Sequence, residues 1–106
     1  MKAGIATRRD SSGKSATIPV TGKELKLPPD ELRSLVGDGN AKISVGMDLK
    51  ESDFGTGFSV FVNVTLTCNQ DMETLWLAHG LAEKLATELC SESYAAAKKV
   101  FNETGT

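Results

Sequence analysis

The chain has 106 residues, 25% charged and 40% hydrophobic, with a formal net charge of −2 at pH 7; this is one globular domain's worth, neither disordered nor fibrous in composition. No run approaches the roughly 18 apolar residues of a membrane span. Asp10-Ser11-Ser12-Gly13-Lys14 stands where a secretory signal would need an apolar stretch, so a cytoplasmic protein with no membrane association is predicted.

Met1–Ala16 is rich in Gly, Ser, Thr and basic residues and has no hydrophobic period. It reads as a flexible basic N-terminal arm over residues 1–16, ahead of a single domain over residues 17–106. Residues 1–26 carry six cations against Asp10 and Glu24, whereas residues 27–106 carry six against twelve carboxylates. A basic arm on an acidic body can lie on that body, dock on a neighbouring copy or contact nucleic acid. The acidic body would repel phosphates, which favours docking within or between chains.

Thr17–Val20 and Glu24–Leu27 are short β-like segments, with Thr21-Gly22-Lys23 as a tight turn between them. Pro19 cannot donate to a ladder, so its strand belongs at a sheet edge. Pro28-Pro29-Asp30-Glu31 starts a helix, with acids near the positive end of its dipole. Leu32, Leu35 and Val36 form its apolar stripe, Gly37 ends it, and Asp38-Gly39-Asn40 turns the chain into the next strand.

From Ala41 onward both periodicities are plain. Ile43, Val45, Met47 and Leu49 alternate along one face, and Phe58, Val60, Val62, Val64, Leu66 and Cys68 along another. Lys50–Gly57, with Phe54, reads as a solvated, mobile hairpin loop. After Asn69 the period changes from two to about 3.6. Asn69 or Asp71 can cap the helix, and Leu75, Ala78, Ala82, Leu85 and Leu89 form its stripe. Ser91-Glu92-Ser93 is a weak point where it can bend or restart. The predicted fold is α+β: an antiparallel sheet of three to four strands, the hairpin central, packed against one long C-terminal helix.

Little in the chain is suited to catalysis. Along one helix Cys68 and Cys90 would lie roughly 30 Å apart, against the ~5.5 Å of a disulfide. They read as buried, reduced thiols. His79 is the only histidine, eleven residues from each cysteine, too far for one ion to join them. It sits at the margin of the helix stripe and reads as a partly buried structural residue. Gly13-Lys14-Ser15 resembles the end of a phosphate-binding loop, but Arg8 occupies the position of the required earlier glycine. Asp48, Glu51 and Asp53 cluster near the hairpin tip without calcium-loop spacing. No acid–base pair, nucleophile, metal-ligand set or cofactor motif emerges.

Two surface features point to partners. Phe61 interrupts the polar row Ser59, Asn63, Thr65, Thr67 on the outward face of its strand, with Lys42 and Ser44 on the same face of the neighbouring strand. With Arg8, Arg9 and Lys14 these residues make a candidate contact for nucleic acid or another partner; packing of Phe61 under another strand, the arm or a second subunit is the alternative. Trp76, Tyr94 and Phe101 fall together about a quarter-turn off the helix stripe. They either widen its buried face or form a subunit interface, where aromatics are enriched.

The run Lys42-Ile43-Ser44-Val45-Gly46, then Phe58–Cys68 leading directly into a helix, resembles small phage-encoded proteins of uncharacterised role. That resemblance implies a viral accessory or host-counteracting protein and transfers no site. The sequence as a whole predicts a non-enzymatic, homo-oligomeric interaction module that binds a protein or small ligand. Nucleic-acid binding through the arm and hairpin face is the alternative.

Overall fold

In the computed structural model, which describes residues 2–9, 14–36, 41–53 and 56–104, two hairpins and two short helices precede one long helix. Strands β1 (Gly4–Arg9) and β2 (Ser15–Val20) lead to helices α1 (Gly22–Leu25) and α2 (Pro29–Val36). Strands β3 (Ala41–Asp53) and β4 (Thr56–Cys68) then lead to α3 (Met72–Thr104). The fold is α+β: a four-stranded antiparallel sheet in the order β2-β1-β4-β3, packed against α3.

Residues 4–9 depart most from the sequence reading. They are not an arm but a central strand, paired with β2 on one side and β4 on the other. The ladder continues through Ala3, whose amide donates to Val20 O and whose carbonyl accepts from Thr67 N. Gly4 and Ala6 face α3, while Ile5 faces away and is 48% exposed. The hydrophobic alternation that announces a half-buried strand is therefore inverted here. The β3–β4 hairpin is correspondingly displaced from the centre, with β3 on the edge. Pro19 does lie on an edge strand, in β2.

The segment after β2 is helical, not extended. Thr21 caps α1, accepting from Lys23 N, while Glu24 accepts from Thr21 N at 2.8 Å to complete a capping box. The turn closes with Lys26 in the left-handed region at φ 58°. β3 and β4 extend through most of the expected loop, to Asp53 and from Thr56. Residues 10–13, 37–40 and 54–55, and with them Gly13, Gly37, Asp38-Gly39-Asn40, Phe54 and Gly55, lie outside the described residues, as do the side chains of Glu51, Asp53, Phe58 and Phe101.

Helix α3 has 33 residues without interruption, about 50 Å at 1.5 Å per residue, which spans the molecule's longest dimension of 51 Å. Asp71 caps it, accepting from Thr74 N at 2.9 Å, whereas Asn69 donates to Ser34 O of α2. It packs along β4 and β3 through Ala78, Ala82 and Ala86, whose small side chains let the helix lie close to Val60, Val62, Val64, Leu66 and Cys68. Each fully buried Val or Leu in that row contributes about 1.5–3 kcal/mol over its exposed state. Helix α2 adds Leu32 and Leu35 to the same core, and α1 adds Leu25. All three helices thus lie on one side of the sheet.

Candidate functional site

Side chains of odd number in β1, β2 and β4 and of even number in β3 point away from the helices. Among the described residues, no helix or strand covers that face. Its residues form registered rows: Pro19, Ile5, Thr65 and Ser44 across the sheet, then Thr17, Thr7, Asn63 and Gly46, then Ser15, Arg9, Phe61 and Asp48. Such a flat face, lined with hydroxyls around one aromatic, is what sheet alternation produces when only one side is sealed by a helix.

At one end of these rows is the pair Arg9 and Phe61. The Arg9 guanidinium carbon lies 5.4 Å from the ring centroid, within cation–π range. Phe61 is partly buried, as are Asn63, Thr65 and Thr67. Ser44 and Thr65 share a hydrogen bond of 2.7 Å between their hydroxyls, and Thr65 in turn donates to Asn63 Oδ1 at 3.1 Å. Gly46 brings no side chain to this row, and the Asn63 and Phe61 side chains lie beside it. A Cβ there would stand 3.6 Å from Asn63 Nδ2 and 3.8 Å from the Phe61 ring, so no crowding requires the glycine. A glycine in a strand interior commonly marks a place where something approaches the backbone closely.

The basic residues expected to act together are divided by the sheet. Arg9 and Phe61 meet on the open face. Arg8 points to the helix side, where its Nη1 lies 3.8 Å from Glu92 Oε2. Lys14 immediately precedes Ser15, the register partner of Arg9. Lys42 is on the open face but six residues along β3 from Asp48, the partner of Phe61, about 20 Å away. Lys50 is also on this face, its Nζ 3.9 Å from Asp48 Oδ2. The sequence places Asn63 on this face but singles out neither it nor Gly46, although a glycine inside an alternating strand is a legible signal for the second.

The helix aromatics are likewise separated. Trp76 is 68% exposed, with Met72 and Leu77 exposed beside it. Tyr94 is half-buried against the core, with Lys98 Nζ 6.0 Å from its ring centroid. Eighteen residues of helix put Tyr94 about 27 Å along the axis from Trp76.

The remaining chemical candidates are isolated. Cys68 and Cys90 are free and buried, and burial pushes both thiols up from the ordinary value, which disfavours the nucleophilic thiolate. His79 is not a partly buried structural residue. It is exposed, edge-on to Trp76 at a centroid distance of 6.1 Å, with Glu83 Oε2 3.9 Å from its Nδ1. Among the described residues no three His, Cys, Asp or Glu side chains are grouped to hold a metal ion, and no helix is long and apolar enough to cross a membrane. A shallow depression between α1 and α3, bounded by Glu24, Lys26, Leu81 and Lys84, encloses only about 10 Å³, far below the ~300–1,000 Å³ of ordinary ligand pockets. No family model, curated protein or solved structure matches the chain.

Proposed function

We propose that this chain is a non-enzymatic interaction module that works as a homo-oligomer, with the first turns of α3 forming the contact between copies. The observation carrying this reading is the exposure of Trp76 at 68%, beside Met72 at 67% and Leu77 at 43%. Trp and Met are enriched at the centres of protein interfaces, and a solvated indole is a large apolar surface for a monomer to leave in water. Gly80 follows one turn after Trp76, and a Cβ there would have nothing within 4 Å. A projecting ring and an open glycine four residues apart are self-complementary about a two-fold axis, each Trp76 lying over the other copy's Gly80.

An accessory role in a virus, as the resemblance to small phage proteins implies, is consistent with a module of this size. Light scattering across a hundredfold dilution tests the assembly. A dimer or larger species is expected, and Trp76→Ala is expected to dissociate it without lowering the melting temperature of the dilute protein. A monomer at every concentration would overturn the reading; a collapse of fold stability in Trp76→Ala would make the residue a core element instead.

A further inference from the structure

We propose that the open face of the sheet binds single-stranded nucleic acid, with a base stacking at Phe61 and Arg9 and the backbone running toward Lys42. The objection that an acidic body repels phosphate is weakened, because most of the described acids lie on the helix side. Asp30, Glu31, Glu83, Glu88 and Glu92 belong to α2 and α3, on the far side of the sheet. On the open face the charged residues with described side chains are Arg9, Lys42 and Lys50, against Asp48 alone, and that carboxylate faces the Lys50 ammonium at 3.9 Å. The described charges of this face are therefore mostly cationic, and the helix carboxylates stand behind the sheet, roughly 10 Å or more away, about a Debye length at ordinary salt.

Stacking and spacing support the same ligand. Single strands are held by aromatic rings and guanidinium planes on which bases stack, and by cations tracking the phosphates. Arg9 supplies the guanidinium and Phe61 the ring, already in contact at 5.4 Å. A Cβ at Gly46 would already touch that ring and the Asn63 amide, so the glycine lets both side chains lie close to the strand, and the amide is a donor suited to base-edge acceptors. The Ser44, Thr65 and Asn63 hydrogen-bond chain fixes the amide's orientation. From Arg9 to Lys42 the face spans roughly 20 Å, about the reach of three or four nucleotides. A second copy is the poorer occupant. Apart from Phe61, Ile5 and Pro19 the rows are polar, whereas homodimer interfaces are mostly apolar. The proposal is independent of self-association at Trp76, which is on the helix side.

Fluorescence polarisation of the 106-residue chain with labelled twelve-nucleotide oligo-dT and oligo-U, between about 50 and 200 mM salt, tests it. The expected result is micromolar binding at low salt with a log–log salt slope near −2, about −0.7 for each of three phosphate contacts. Phe61→Ala should weaken binding roughly tenfold to a hundredfold and leave the slope unchanged, because stacking is not ionic. Arg9→Ala removes a cation as well as a stacking plane, so it should both weaken binding and flatten the slope by about 0.7. Gly46→Val, which adds a β-branched residue to an edge strand and crowds the Phe61 ring and the Asn63 amide, should weaken binding without unfolding the sheet. Absence of binding below about 100 μM at low salt, the weak end of non-specific affinity, would overturn the proposal. So would equal competition by polyglutamate, or affinity indifferent to Arg9→Ala and Gly46→Val.

Discussion

Gly4 shows how much a single position can decide. It pairs with Val20 on one side and Leu66 on the other, at the centre of the sheet. A Cβ built there would fall 1.8 Å from Thr65 O and 2.8 Å from Leu66 Cα, both backbone atoms that no side-chain rotation can clear. Gly4→Ala should therefore force β1 away from β4 and cost about 3 kcal/mol, at the upper end of overpacking penalties. A shift in urea midpoint measures this. A change below about 0.5 kcal/mol, typical of exposed sites, would mean that β1 is not held against β4 as described. Arg8, four residues on, should matter much less, because its contact with Glu92 is solvent-exposed and ion pairs of that kind contribute little.

At the scale of elements, the two carboxylate caps make stability depend on pH with a definite sign. Hydrogen bonds from the Thr74 hydroxyl and amide hold Asp71 below its ordinary value, and the bond from the Thr21 side chain does the same for Glu24. A carboxylate whose folded-state pKa is lowered adds stability that is fully present above its unfolded value, near 4, and is lost as the pH falls through its folded value. The urea midpoint should hold from neutral pH down to about 5 and then decline. Asp71→Asn keeps an acceptor for the cap but cannot titrate, so its decline below about pH 4 should be shallower. An identical acid profile in the variant would remove Asp71 from the account.

The same elements show what the sequence made legible. The paired long strands and α3 were readable because Val60, Val62, Val64, Leu66, Ala78, Ala82 and Leu85 follow clean periods and all become buried. β1 was hidden because its core-facing residues are Gly4 and Ala6, which carry almost no hydrophobic signal, while Ile5 points outward. The Thr21–Glu24 spacing announces a capping box, yet a four-residue helix is too short for periodicity to register. Ser91 and Ser93 did not break α3, since Cys90 and Ala97 around them are buried and tertiary packing overrides weak local propensity. The open face was only half legible. Phe61 was visible as an anomaly in a polar row, but its partner Arg9 lies 52 positions away in sequence, and only the β1–β4 register joins them.

As a whole the molecule is a layered strip of 51 × 21 × 17 Å with two unpartnered surfaces on opposite sides, the open sheet and the start of α3. Gly80 offers a test of the second that separates folding from assembly. A glycine inside an exposed helix costs about 1 kcal/mol relative to alanine, and a methyl at this position meets nothing within the chain. Gly80→Ala should therefore stabilise the isolated protomer, raising its melting temperature by roughly 4–8 °C for a domain of this size. Where Trp76 of a second copy lies over Gly80, the same methyl intrudes between the helices and should weaken association. The melting comparison belongs at dilutions where both proteins are monomeric, because assembly itself shifts melting with concentration. Opposite signs in the two measurements are the expected outcome. A higher melting point with association unchanged would move the contact between copies away from this turn of α3.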